Sequence, residues 1–284
     1  MKTRTNDEKN DRRVIVTGAT GFVGRHLVPL LLGKGYTVIA VARDSNKAKK
    51  FDWFSKVQFV ELDLYKAQLN VPNCSDFKLI HLAWGGLPNY KENFHFEVNL
   101  KKDYEFIKEL VSQGVTQVLV TGTCAEYGMQ NGPLASTTQT CPNTSYALAK
   151  DCLRKFLELL SNESSFTLQW ARLFYMYGEG QNPRSVLPQL DSAIDNGRSE
   201  FDMSGGEQIR DYLSVEDVAK SILQLFESGT KGTFNICSGK PITVRRLVDD
   251  RIKQREAKIK LNLGYYPYPD YEPLAFWGIP DIKV

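Results

Sequence analysis

Histidine is scarce in this chain of 284 residues: only His26, His81 and His95 occur, at no metal-ligand spacing, so each is expected to be structural and no metal site is expected. The five cysteines, Cys74, Cys124, Cys141, Cys152 and Cys237, are widely spaced, odd in number and never form C-x-x-C. That argues against a disulfide framework or a thiolate zinc site and suits a reducing, cytoplasmic compartment. Neither sign of charge is in large excess. The net charge is +3 with scattered basic residues, which leaves no nucleic-acid footprint. No apolar run approaches the ~18 residues that span a bilayer, so no membrane partner is expected. The opening MKTRTNDEKNDRR has no apolar stretch of the kind a secretory signal needs, and residues 1–12 read as a disordered polar tail.

What remains, 42% apolar and 24% charged, is the composition of an ordinary globular protein, long enough for one large domain or two small ones. Short β-rich runs alternate with amphipathic helical stretches. VIVT at Val14, TVIAVA at Thr37, VQFVEL at Val57, LIHLA at Leu79, QVLVTG at Gln117 and TLQWARL at Thr167 read as strands. HLVPLLLGKG, NLKKDYEFIKELVSQG and the run from Ser145 read as helices between them. Continuously apolar strands, each followed by a helix, predict an α/β fold with a doubly wound, parallel, Rossmann-like sheet over residues 13–173. Past Leu173 Gly, Pro and Tyr become frequent. Residues 174–284 are expected to form a smaller α/β lobe on the sheet's C-terminal edge, with parts returning to the first domain.

The first strand runs into TGATGFVG and an apolar helix, placing Gly18, Thr20, Gly21, Phe22, Val23 and Gly24 in a turn. Glycines there permit a tight turn and close approach of backbone to a pyrophosphate, and the helix N-terminus favours its charge. This predicts dinucleotide binding. At the end of the second strand an acid would hold the ribose of NAD, and an arginine the 2′-phosphate of NADP. The sequence has Ala42, Arg43 and then Asp44, which favours NADP(H) over NAD(H). Asp63 and Leu64 are expected near the adenine, with Ala83, Asn99 and Thr121 also lining the cofactor. SYALAK then carries Tyr146 and Lys150 four apart, on one stripe of a helix.

With TGATGFVG, TGTCAEYG and SYALAK, the chain resembles the extended short-chain dehydrogenase/reductases, and within them the NAD(P)-dependent nucleotide-sugar epimerase, dehydratase and reductase family. The resemblance runs from Val14 to about Gly278 and includes RLFYMYGEGQ at Arg172, GGEQIRDYLSVEDVA at Gly205 and FNICSG at Phe234. It implies that Tyr146 and Lys150 are the catalytic pair and that Thr123, four residues before Tyr127-Gly128, is the third member. In that chemistry a hydride from NADPH reaches a sugar carbonyl, Tyr146 protonates the developing alkoxide, and Thr123 hydrogen-bonds the same oxygen. Lys150 would lower the Tyr146 pKa and hold the nicotinamide ribose.

Departures narrow the implied reaction. Family 4,6-dehydratases carry Asp-Glu after the threonine, where this chain has Cys124 and Ala125, and Glu126 is displaced by one residue, which on extended backbone reverses its direction. The GDP-fucose synthase type needs a cysteine and a histidine where Ala125 and Gly180 stand. C4 epimerases often have an Asn where Tyr175 stands and usually retain NAD. The motif set is most similar to dTDP-4-keto-6-deoxyhexose reductases of the dTDP-6-deoxy-L-talose or dTDP-fucose forming type. A homodimeric reductase of a nucleotide-linked 4-keto-6-deoxyhexose is therefore expected. The alternatives are a C4 epimerase with bound NAD and a non-catalytic dinucleotide-binding sensor or assembly protein. Trp84, Thr123, Tyr175, Gln181, Arg184 and Arg210 are the expected substrate residues, Arg210 at the nucleotide phosphates. The tyrosines of GYYPYPDY are expected to pack the second lobe. Family members continue into a final helix beyond an EPxxFW-like stretch, whereas this sequence stops at Val284, just after EPLAFWG, so the resemblance does not extend to the nucleotide-pocket wall which that helix would form.

Overall fold

The computed structural model describes residues 12–66, 74 and 76–282, so the expected tail lies outside the described residues except for Arg12. Arg12 already belongs to the fold, its carbonyl accepting a hydrogen bond from the Thr37 amide at 2.8 Å. In chain order, β1 (Arg13–Thr17), α1 (Gly24–Gly33), β2 (Thr37–Ala42), the one-turn α2 (Ser45–Ala48), β3 (Gln58–Glu61) and β4 (Lys78–His81) come first. A π-helical turn, His95–Asn99, opens α3 (Leu100–Ser112), which leads into β5 (Gln117–Thr123). A 3-10 turn at Cys124–Tyr127 and β6 (Gly132–Leu134) precede α4 (Ser145–Glu163) and β7 (Thr167–Leu173).

These strands read as apolar on both faces because both faces are covered. In β1, Val14 and Val16 join a core with Leu27 and Leu31 of α1, while Ile15 joins the opposite core with Phe106, Ile107 and Leu110 of α3 and Leu153 and Leu157 of α4. Each such fully buried side chain contributes about 1.5–3 kcal/mol. The sheet has seven parallel strands, with β11 (Gly232–Ile236) at one edge, in the order β11-β7-β5-β4-β1-β2-β3. The chain crosses from β3 to β4 on the far side of β1. That reversal opens a crevice at the carboxyl ends of β1 and β4, the place where open α/β sheets bind ligands.

Beyond β7 the chain forms β8 (Tyr175–Tyr177), α5 (Val186–Asp195), β9 (Glu200–Asp202), β10 (Ile209–Ser214), α6 (Val215–Ser228) and β11 (Gly232–Ile236). β12 (Pro241–Thr243), α7 (Val244–Gln254), β13 (Lys260–Asn262) and β14 (Phe276–Gly278) complete it. β11 pairs with β7 in the large sheet, and Val218, Ile222 and Phe226 of α6 join the core that holds α1. The second lobe consists of the small sheet β12-β10-β8, the pairs β13-β9 and β14-β6, and a separate core of Leu190, Ala193, Phe201, Met203 and Val248. Two tyrosines of GYYPYPDY depart from expectation, whereas half-buried Tyr271 packs against Tyr90 with ring centroids 6.0 Å apart. Tyr265 and Tyr266 are more than half exposed, because the turn at Gly264 swings that segment outward, and the Tyr268 hydroxyl donates to Glu207 Oε2 at 3.0 Å. No helix among the described residues is long and apolar enough to cross a membrane.

Candidate active site

The turn after β1 closes on itself, with the Gly21 amide donating to the Gly18 carbonyl at 2.8 Å. Gly18 sits at φ +66°, and a Cβ there would stand 2.9 Å from the Ala83 backbone nitrogen. A Cβ on Gly24 would stand 2.3 Å from the Gly18 carbonyl oxygen. Side chains at either position would fill the gap between the turn, the end of β4 and the first turn of α1. Val23 caps α1 without a side-chain hydrogen bond, and the helix has no acid in its first turn. Although the Arg25 amide already donates to the Gly21 carbonyl at 3.2 Å, no side chain competes with an anion for the partial positive charge of this helix end. Thr20 and Val23 are buried in the turn, and Phe22 is half-buried, edge-on to His26. This bare, uncapped backbone fits the pyrophosphate of a dinucleotide.

At the far end, Ala42 closes β2 buried and Arg43 emerges exposed. The Asp44 carboxylate is occupied in capping α2, where Oδ1 accepts from the Lys47 amide at 3.0 Å. Asp63 accepts from the Tyr65 amide at 3.1 Å, beside buried Leu64.

The three expected catalytic residues come from β5 and α4. Thr144 caps α4, its hydroxyl accepting from the Ala147 amide at 3.2 Å, and so fixes the turn that carries Tyr146. The Tyr146 amide donates to the Tyr90 carbonyl at 3.0 Å. Its ring is walled by His95, Tyr90 and Trp84, with centroids 5.4, 5.6 and 5.9 Å away. Burial pushes the Tyr146 phenol well above its usual range, Tyr90 adding to the rise and a hydrogen bond with Thr123 opposing it. Thr123 also caps the turn that follows, accepting from the Ala125 amide at 3.2 Å.

Lys150 lies one turn along α4, but its ammonium is directed at the backbone of β5. Nζ donates to the Thr121 carbonyl at 2.9 Å and sits 4.1 Å from the Trp84 ring centroid. Burial pulls Lys150 down to about 8, against the opposing carboxylates of Asp103 and Glu126. Trp84 is held in turn by its Nε1–H, which donates to His95 Nδ1 at 3.0 Å. His95 therefore carries its proton on Nε2 and donates to the Asn89 carbonyl at 2.9 Å. Burial lowers the His95 pKa, which favours this neutral ring. Asn99 ties down the same loop, Nδ2 donating to the Gly85 carbonyl at 3.0 Å.

Glu126 points away from this cluster, although its backbone is a 3-10 turn and not extended. Its carboxylate accepts from the half-buried Thr123 amide at 2.8 Å and from buried Trp170 Nε1 at 3.0 Å and Arg172 Nε at 2.7 Å. Burial pushes its carboxyl up in spite of Arg172. Burial likewise pushes the Cys124 thiol up, so it behaves as a small filler and not as a nucleophile.

On the second lobe, Arg210 is buried under the rings of Phe276 and Tyr175, 4.7 and 5.7 Å from its guanidinium carbon. Its Nη2 donates to Glu272 Oε2 at 3.0 Å and its Nη1 to the Ile209 and Leu274 carbonyls at 2.9 and 3.1 Å. A carboxylate thus already covers one edge of the guanidinium expected at the diphosphate. Burial raises the Tyr175 phenol far above its ordinary value. Gln181 folds back onto the Met176 carbonyl at 2.9 Å, and Arg184 is exposed just before α5.

Tyr90, His95, Asp103 and Glu272 are parts of this neighbourhood that sequence reasoning missed. Only Asp103 left a usable signal: an acid on the stripe that Phe106, Ile107 and Leu110 make the apolar face of α3.

The chain is similar in sequence and in fold to known proteins. The model of the NAD dependent epimerase/dehydratase family matches residues 14–237. A dTDP-6-deoxy-L-talose 4-dehydrogenase (NAD(+)) from Aggregatibacter actinomycetemcomitans is 30% identical over 267 residues, 93% of this chain and 98% of that protein. The structure of UDP-N-acetylglucosamine 4-epimerase from Methanobrevibacter ruminantium, in complex with UDP-N-acetylmuramic acid, is similar with a TM-score of 0.83 at 26% identity, covering 93% of this chain and 89% of that one. UDP-glucuronic acid 4-epimerase from Bacillus cereus, in complex with NAD, shares the fold with a TM-score of 0.80 at 18% identity, over 95% of this chain and 88% of that one.

Proposed function

Because the chain belongs to the NAD dependent epimerase/dehydratase family, we propose that it is an NADP(H)-dependent reductase of a nucleotide-linked 4-keto-6-deoxyhexose. The observation that carries this reading lies beside Thr123. Cys124 and Ala125 stand where elimination of water would need an acid and a base, and Glu126 is locked onto Arg172 at 2.7 Å. What remains at the site is one proton donor and one partner for an oxygen, which suits net hydride transfer to a carbonyl. The 30% identical relative is named as a 4-dehydrogenase, and that reaction reversed is a 4-keto reduction.

A nicotinamide cofactor, when bound, supplies the hydride. The glycine turn and the N-terminus of α1 would hold its pyrophosphate. Tyr146 holds a proton at its phenol oxygen, since burial keeps the phenol neutral, and gives that proton to the new alkoxide. Thr123, whose hydroxyl opposes the rise of the phenol pKa, orients the same oxygen. Lys150 supplies positive charge from the β5 side, and the aromatic wall of Tyr90, Trp84 and His95 excludes water.

The NADP(H) preference is supported by exposed Arg43, by the absence of an acid at Ala42 and by the Asp44 carboxylate being taken up at Lys47. The relative named with NAD(+) makes the comparison of both cofactors essential. A cytoplasmic homodimer fits five free cysteines and an exposed apolar face of Leu148, Phe156 and Leu159 on α4.

The test is to generate dTDP-4-keto-6-deoxyglucose in place, with and without a 3,5-epimerase, and to follow loss of NADPH and NADH by absorbance. NADPH consumption only with the epimerase indicates an L-sugar product, and consumption without it a D-sugar. The 4-epimerase at 26% identity supports a second reading. Reduction of neither keto-sugar, with inversion of a 4-hydroxyl in a UDP-sugar, would establish that reading instead.

A further inference from the structure

Asp103 occupies the apolar stripe of α3, and its side chain is fully buried. A carboxylate withdrawn from water is unfavourable unless donors or positive charge compensate. Donors there are few. The Tyr65 hydroxyl donates to Oδ2 at 3.3 Å while accepting from the Gly85 amide at 3.1 Å. Oδ1 lies 3.3 Å from His81 Nε2 without hydrogen-bond alignment, and neither atom has another hydrogen-bond partner among the described residues.

The charge on His81 follows from counting lone pairs. Thr17 Oγ1 accepts from the amides of Leu82 and Ala83, both at 3.2 Å, so its own proton goes to His81 Nδ1 at 2.9 Å. Nδ1 is an acceptor, the ring proton sits on Nε2, and His81 is neutral. It brings Asp103 no positive charge.

Lys150 does. Its ammonium, buried like Asp103, donates to the Thr121 carbonyl at 2.9 Å, and the Thr121 hydroxyl donates to the His81 carbonyl at 3.3 Å. Hydrogen bonds thus link Lys150 through Thr121 to His81, across α4, β5 and β4, and the His81 ring faces Asp103 of α3 at 3.3 Å. The other carboxylates near Lys150 are committed elsewhere: Glu126 to Arg172 at 2.7 Å, and Asp151 on the same helix to Lys155 and Arg154 at 2.6 and 2.8 Å. His95, from the loop before α3, and Tyr146, on α4, complete the titratable surroundings.

We propose that Asp103 is the buried counter-charge of Lys150, a positioning residue that keeps the ammonium protonated and seated between Thr121 and Trp84. This rests on reading Lys150 as the partner of Tyr146. Electrostatics agree, since Asp103 is the first carboxylate to oppose the effect of burial on Lys150.

The test is titration of Lys150 in the full, ligand-free chain by NMR of Cε-labelled lysine, with the signal assigned through Lys150→Arg. Asp103→Asn should move the Lys150 midpoint down by about one pH unit. His81→Gln disturbs the same cavity but keeps the carboxylate, and should leave the midpoint in place. An unmoved midpoint in Asp103→Asn, or equal falls in both variants, overturns the proposal. Should Asp103→Asn fail to fold, the Asp103 Cγ signal of the unaltered protein decides, because a neutral carboxyl at neutral pH is equally fatal. None of these readouts needs turnover, so failure of the reductase reading would show separately, as absent activity with the titration intact.

Discussion

Replacing Lys150 with methionine removes a buried charge, and the structure sets the size of the effect. Burial takes Lys150 from 10.5 to about 8, a difference of about 2.5 pH units. At ~1.4 kcal/mol per unit the folded protein carries its ammonium at a cost of about 3 kcal/mol. The folded value lies below the unfolded one. The penalty is therefore full below about 8, shrinks as pH rises from there to 10.5, and is gone above. Methionine occupies similar space and does not titrate. The stability advantage of Lys150→Met should accordingly fall by about 3 kcal/mol between neutral pH and pH 10.5, because the unaltered protein gains over that interval. Besides leaving the Asp103 carboxylate without its counter-charge, the exchange offsets the difference at any single pH by two further losses. The Thr121 carbonyl loses its donor, at about 1–3 kcal/mol. The contact with the Trp84 ring goes too, at roughly 2 kcal/mol. The slope with pH escapes both offsets. Urea unfolding of the two proteins across this range measures it, and tyrosines and cysteines titrating there are common to both and cancel. A difference that stays flat with pH would refute the reasoning, since it would mean that Lys150 titrates alike in the folded and unfolded chains.

Tyr146→Phe should leave cofactor binding nearly intact, by fluorescence titration, and lower kcat by about 10² or more; near-normal turnover would remove Tyr146 as the acid. Arg43→Ala should raise the KM for NADPH much more than that for NADH, and equal use of both cofactors by the unaltered protein would sink the assignment. Glu126→Gln breaks a buried pair with Arg172 and should lower unfolding free energy by about 3–5 kcal/mol in denaturant titrations. Because that carboxylate serves Arg172, dTDP-glucose should yield no 4-keto product, and a keto chromophore appearing would show that another group performs the elimination.

What the sequence made legible is what short-range geometry encodes. TGATGFVG is readable because Gly18 and Gly24 stand where backbone leaves no room for a Cβ. SYALAK is readable because helical spacing puts Tyr146 and Lys150 on one stripe. The alternation of β1 between its two cores likewise shows in the letters. The direction of a side chain at the end of such an element does not. Lys150 turns to Thr121 and Trp84, and burial dominates the Tyr146 phenol in place of the expected lowering by lysine. Arg210 meets Glu272 across 62 residues, and Glu272 stands in the irregular stretch between β13 and β14. Asp103 and His81 face each other only because α3 packs on β4 in one register, and neither residue signals the other locally.

The return of β11 and α6 to the large sheet makes the two lobes inseparable by cutting. A chain ended after Leu173 would keep every glycine of the turn and all of Thr123, Tyr146 and Lys150. It would nevertheless strip β11 from the edge of β7 and α6 from the apolar side of α1. The exposed strand edge would invite pairing with another chain, and Leu27 and Leu31 would lose part of their cover. Reading such a fragment as a free-standing cofactor-binding domain would mistake a seam for a joint: the later half of the chain hems the sheet before it builds the second lobe.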